Sequence, residues 1–130
     1  MAASDYTIDT DRRIVRVAML DTSTPAEVVD LCERILRDPA YRSGFDFLID
    51  RRRLTAPPRA DTLRALAAFA RDSSRRLGPC RMAIVTAAVT GQWSPWRTGA
   101  TLLAHYARIT LELFDQYEAA EEWLASMERG

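Results

Sequence analysis

The sequence predicts an α/β fold. One domain, residues 1–130, runs in the order ββαβαβαβα, with a mostly parallel five-stranded sheet and four helices. Three observations predict it. Phe45 to Asp50, FDFLID, is apolar on both sides: Phe45, Phe47 and Ile49 take one face and Leu48 the other, the pattern of a strand covered twice. Strand-length and helix-length apolar patterns alternate along the chain, which implies right-handed crossovers between parallel strands. Proline and glycine punctuate the helix boundaries, as at Thr24-Pro25 and Gly78-Pro79.

Tyr6 and Ile8 form a short first strand, Asp9 to Arg13 a turn, and Ile14 to Leu20 a second strand that closes a hairpin. Thr24 as N-cap, Pro25 at the first helical position and Glu27 three residues on make a capping box. The helix it starts runs to about Arg37 with Val28, Leu31, Cys32, Ile35 and Leu36 inward, and Asp38-Pro39 ends it. After FDFLID, Pro57 and Pro58 stiffen a loop, and a second helix spans about Ala60 to Leu77 on the stripe Leu63, Leu66, Ala67 and Ala70. Arg81 to Thr86 is the next strand, paired beside the central one.

Ala87 to Gln92 is loop, and Ser94-Pro95 starts a third helix with Trp96, Ala100, Leu103 and Ala107 inward. Ile109 to Phe114 alternates Ile109, Leu111 and Leu113 with Thr110 and Glu112, as an edge strand does. Asp115 and Glu118 suggest a second capping box for a last helix carrying Ala119, Ala120, Trp123, Leu124 and Met127. Trp123 is expected in the core.

Composition narrows the chemistry. The 18 basic and 18 acidic residues cancel, so no overall field draws the chain to nucleic acid or an acidic membrane. Every basic residue is Arg; without Lys there is no P-loop lysine and no Schiff base. Cys32 and Cys80 lack CxxC spacing and read as reduced, mostly buried thiols, which fits a cytoplasmic protein. The first residues lack a basic-then-apolar signal region, and no apolar run approaches the ~18 residues needed to span a bilayer.

DPAYRSGFDFLIDRR (Asp38 to Arg52), RMAIVT (Arg81 to Thr86), LELFDQYEAAEEWL (Leu111 to Leu124) and STPAEVVDL around the first helix together resemble the STAS-like superfamily, the fold of the sporulation anti-sigma-factor antagonists. More narrowly, the chain is similar to the bacterial branch that also resembles CRAL-TRIO lipid-transfer domains. The likeness covers most of the chain from Leu20 onward and implies a non-catalytic module that binds a partner or a small, apolar ligand. The antagonists carry a phosphorylatable Asp-Ser-Ser-Gly before the helix that follows the central strand. Here that loop, RRRLTAPPRADT, offers only Thr55 and Thr62, while Asp72-Ser73-Ser74 lies inside the second helix and precedes Arg75. The phosphoswitch is therefore not carried over, although Thr55 stays a candidate for phosphorylation.

Arg51, Arg52, Arg53 and Arg59 lie where the central strand feeds the second helix, so guanidinium forks and a helix start could meet around a phosphate or carboxylate. The competing reading is a solvated charge run, with any structural arginine pairing with Asp50. Trp93 and Trp96 flank the third helix start, and Tyr106 follows on nearly the same face; they line an apolar pocket or pack as core and cap. Thr86 and Thr90 follow the fourth strand at the same rim. Asp46 and Asp50 face the same way and are expected as strand-end residues rather than an acid/base pair. His105 has no second ligand at metal spacing, and no Ser sits in a nucleophile elbow.

The expected function is a cytoplasmic STAS-like regulatory module, not an enzyme, contacting a protein partner or small ligand at Asp50, Arg51, Arg52, Arg53, Arg59, Thr86, Trp93 and Trp96. No cofactor, metal or nucleic acid is implied. A carrier or sensor of an apolar or lipid ligand, with Trp93 and Trp96 lining its cavity, is the alternative; an enzyme acting on an anionic substrate ranks last, since no base or nucleophile can be named. A homodimer fits a small domain that exposes a helix face, and no heptad or extended apolar patch decides it.

Overall fold

A computed structural model describes residues 5–19, 24–54, 59–86, 97, 100–105 and 107–126. Five strands form one sheet: β1 (Asp5–Asp9), β2 (Ile14–Ala18), β3 (Asp46–Asp50), β4 (Cys80–Val85) and β5 (Ile109–Phe114). The helices are α1 (Pro25–Arg37), α2 (Ala60–Asp72), the single turn α3 (Ser74–Leu77), α4, helical at 100–105, and α5 (Tyr117–Ala125).

Spatial order equals sequence order, β1-β2-β3-β4-β5. The β1–β2 hairpin is antiparallel, and the remaining three pairings are parallel, in registers such as Val15 opposite Phe47 and Ile49 opposite Ile84. When each crossover is right-handed and each new strand lands beside the last, every connecting helix falls on the same face. The packing agrees. Val15, Val17, Phe47, Ile84 and Leu111 share one core with Leu31 and Ile35 of α1, Leu63 of α2, Leu77 of α3 and Leu103 of α4. The opposite face is covered by α5, where Ile14, Leu48, Ala83 and Val85 pack against Ala120 and Leu124. Phe45 and Phe47 thus point into the first core and Leu48, fully buried, into the second, as the two-sided pattern of the central strand requires.

The capping box forms as expected: Thr24 Oγ1 accepts the Glu27 N–H at 3.2 Å while Glu27 Oε1 accepts the Thr24 N–H at 2.9 Å. The edge position of β5 also holds, with Ile109, Leu111 and Leu113 buried and Thr110 and Glu112 exposed.

Three expectations are corrected. The second helix is not continuous to Leu77. At Ser73 the backbone leaves helical geometry (φ −109°, ψ 18°), making five helices instead of four. Asp72, Ser73 and Ser74 are weak helix formers whose side chains compete with the backbone. The redirected turn buries Leu77 and offers its carbonyls to the chain before β3: Ser43 Oγ donates to Arg76 O at 2.7 Å and Gly44 N to Leu77 O at 2.9 Å. Gly78 then reverses the chain at φ 66°, ψ 174°, a region only glycine occupies readily.

The second capping box does not form. The N-cap of α5 is Gln116, with no side-chain cap bond. The helix begins where Tyr117 and Ala120 pack against the second core, and it does so without a side-chain cap, a contribution of about 1 kcal/mol where one forms. Trp123 is half-buried at the margin of the second core, 5.6 Å from Phe114, and not in its centre. Asp46 is a strand-end residue as expected, at the start of β3, and there it is fully buried and tied to Arg81.

Candidate functional site

The carboxyl ends of β2 to β5 lie side by side and are stitched together just beyond the strands. Met19 N donates to Asp50 O at 2.9 Å, Arg51 N to Val85 O at 2.7 Å and Thr86 N to Phe114 O at 2.8 Å. Backbone held on both sides at this rim presents its side chains in fixed directions.

Asp50 and Arg52 are brought together. Arg52 donates from Nε at 3.0 Å and from Nη2 at 2.8 Å to the two Asp50 oxygens, and its backbone N–H adds a third bond at 3.1 Å. The guanidinium lies 5.1 Å from the centroid of the Tyr117 ring at the start of α5. These hydrogen bonds from Arg52 hold the Asp50 carboxyl below the usual carboxylate range. The Arg52 side chain is still 50% exposed, so the pair adds little stability; its effect is to fix a cation in place at the rim.

The other arginines go elsewhere. Arg51, just past the end of β3, is half-buried, and burial lowers the pKa of its guanidinium, though an arginine stays charged. Arg53 is exposed. Arg59 forms the N-cap of α2 without a side-chain cap bond and is engaged by Asp61 through Nε at 3.0 Å and Nη2 at 2.9 Å. Thr86 is fully buried beneath the rim between β3 and β5.

Of the remaining candidates, Thr55, Thr90, Trp93, Trp96 and Tyr106 lie outside the described residues. Thr62 is half-buried in the first turn of α2, and His105 is exposed on α4. Cys32 and Cys80 are reduced, with no disulfide between them; although Cys32 is only partly covered as a residue, burial pushes its thiol up to about 12. A groove of about 510 Å³ opens between α1 and α2, lined by Val29, Glu33, Ala65 and Phe69 among others.

Sequence reasoning missed Tyr117 as a rim residue. The signal was available: a tyrosine in the first turn after the last parallel strand must start at the same carboxyl edge as Asp50. It also missed the Asp46–Arg81 pair, because Arg81 resembles every other arginine of the chain until the register places it next to Asp46.

No family model, curated protein or solved structure matches the chain. Among the described residues, no group of three or more His, Cys, Asp or Glu could hold a metal ion, and no helix is long and apolar enough to cross a membrane.

Proposed function

We propose that the chain is a STAS-like, non-catalytic regulatory module that contacts a protein partner through the carboxyl rim of its sheet. The observation that carries this reading is Arg52, held by Asp50 and set against Tyr117 on a rim whose backbone is bonded from strand to strand. A half-exposed guanidinium that is already oriented loses little freedom when it meets a carboxylate or carbonyl on another molecule, and arginine beside an aromatic ring is a common composition of binding hot spots.

Topology supports the same reading. In open parallel sheets a ligand crevice forms where the strand order reverses. Here the order never reverses, so the rim is a continuous shelf. A shelf suits a broad macromolecular surface better than a small molecule. The resemblance to STAS-like domains implies a mostly parallel five-stranded sheet, and the sheet here has three parallel pairings and one antiparallel.

The test is quantitative affinity capture with three baits: the wild type, Arg52→Ala/Arg53→Ala, and Arg12→Ala in the β1–β2 turn at the other end of the sheet. The proposal expects a protein whose recovery falls at least tenfold, as for a hot spot, with the rim variant alone. Equal recovery from all three baits sinks it. Native mass spectrometry before and after organic extraction runs alongside; a reproducible extractable adduct would replace this reading with the apolar-ligand carrier.

A further inference from the structure

We propose that the amino end of the sheet, opposite the Asp50–Arg52 rim, is a face that binds duplex nucleic acid through its phosphates. The 18 basic and 18 acidic residues cancel in number but not in place. Arg13 precedes β2, Arg42 lies in the turn before β3, Arg75 and Arg76 are in α3 before β4, and Arg108 precedes β5; Arg37 ends α1, and all six are exposed. Hydrogen bonds join these strand entries across the end: Asp46 N donates to Arg13 O at 2.9 Å, Ser43 Oγ to Arg76 O at 2.7 Å and Cys80 N to Arg108 O at 3.4 Å. Arg76 Nη2 donates to Leu36 O at 3.0 Å, which brings the end of α1 into the same face.

No carboxylate among the described residues pairs with any of these six. Elsewhere arginines are mostly engaged, Arg16 by Asp9 and Glu121, Arg52 by Asp50 and Arg59 by Asp61. The acids near the amino end are engaged too: Asp38 accepts from Tyr6 and Ala40, Asp46 from Arg81 and Asp72 from Arg71. Asp11 and Glu33, both exposed, offset part of the charge. Arg42 is steadied by neutral carbonyls, donating from Nη1 to Pro39 O at 2.7 Å and Tyr41 O at 2.8 Å, which keeps its charge and leaves its other donors for a phosphate.

Helix dipoles favour cations at carboxyl ends and so account for Arg37, Arg75 and Arg76. They do not account for Arg13 and Arg108. Each parallel strand is entered through a residue of positive φ, and where the two central entries use Gly44 and Gly78, the outer two use Arg13 (φ 61°) and Arg108 (φ 55°). A side chain in left-handed backbone is uncommon and strained, and such strain is retained at functional sites.

Among the described residues no aromatic, Leu, Ile, Val or Met side chain is exposed, so the described part of this face has no stacking platform for single-stranded bases and no wedge for a bilayer. A duplex needs neither, because its closely spaced phosphates are met by charge alone. With neighbouring strands about 4.8 Å apart, β2 to β5 cover about 14 Å, so Arg13 and Arg108 can reach phosphates on both sides of a major groove about 12 Å wide. The face shares no residue with the Asp50–Arg52 rim, and the two proposals fail separately.

Fluorescence anisotropy of a labelled DNA duplex of about 20 base pairs, titrated with the full chain at about 25 to about 150 mM NaCl, reads the binding. The expected result is a Kd on the order of micromolar at the lowest salt and a slope of log affinity against log salt of about −4 to −5, about −0.9 for each phosphate met. Arg13→Gly/Arg108→Gly weakens binding at least tenfold and makes the slope shallower by about 2, yet melts no lower than the wild type, since glycine accepts positive φ. Arg75→Gln, at an exposed position, makes the slope shallower by about 1, and Arg52→Ala/Arg53→Ala at the carboxyl rim leaves binding unchanged. No binding at about 25 mM NaCl, binding indifferent to the arginines of the amino end, an equal loss in the carboxyl-rim variant, or phosphatidylserine vesicles bound as tightly per phosphate as the duplex overturns the proposal.

Discussion

Arg81 clamps Asp46 from two directions: its backbone N–H donates to Asp46 Oδ1 at 2.8 Å and its Nη2 to Oδ2 at 3.3 Å. The same guanidinium reaches the end of α5, donating to Trp123 O at 2.8 Å and Leu124 O at 2.7 Å, and lies 5.3 Å from the Trp123 ring. One side chain thus ties the start of β3 to the last helix. Asp46 is fully buried, so removing the guanidinium keeps the backbone N–H of residue 81 on its carboxyl but takes away that buried group's charged partner at Oδ2. Arg81→Ala is expected to cost about 3 to 5 kcal/mol in urea unfolding. It should also speed amide exchange at the end of α5, and a loss within about 1 kcal/mol would show that the pair contributes no more than a surface one.

Gly78 lies at φ 66°, ψ 174°, and a Cβ there would come 3.2 Å from Gly44 N. Strain and crowding act together. Gly78→Ala is expected to destabilise by about 1 to 3 kcal/mol. Gly44→Ala should cost less, because although φ is 92° nothing stands within 4 Å of the added atom. Thermal melts of the two variants should keep that order.

The α1 capping box satisfies two N–H groups reciprocally. Thr24→Ala should lower stability by about 1 kcal/mol and Thr24→Ser by much less. Denaturant midpoints at constant m-value check both.

Asp50 titrates below the ordinary Asp value of about 3.9 because Arg52 donates to its charged form. A carboxyl depressed on folding contributes its stabilisation fully above the unfolded-state pKa and loses it as pH falls through the folded one. The Asp50–Arg52 contact should therefore be intact at neutral pH and weaken only below about pH 4. Carboxyl carbon shifts should place the Asp50 midpoint below that of an unfolded Asp, and Arg52→Ala should move it upward.

The architecture was legible where local chemistry and packing agree. The two-sided apolar run of β3, the Thr24 box, the Asp38 and Gly78 stops and the alternation of β5 each record one dominant constraint. Legibility failed where tertiary contacts decide. Nothing local says that the carbonyls of Arg76 and Leu77 are taken by Ser43 and Gly44, so the break at Ser73 was invisible. α5 starts at Tyr117, which packs on the second core, and Asp115 does not cap it. Of the rim, the Asp50 pairing was legible because arginines follow it at once, but that Arg52 takes it while Arg51 is half-buried depends on the turn just past the strand. Similar run-on logic hid Asp46, whose partner lies 35 residues away.

The sequential strand order also bears on how the molecule assembles. Each strand finds its sheet partner in the strand made just before it, so a chain emerging from the ribosome can add units one at a time to a growing edge, with no need to wait for a later segment to be inserted between earlier ones. The last helix is the exception. α5 contacts β3, β4 and β5 together, so it is the late-arriving latch that makes one cooperative body of a stepwise winding.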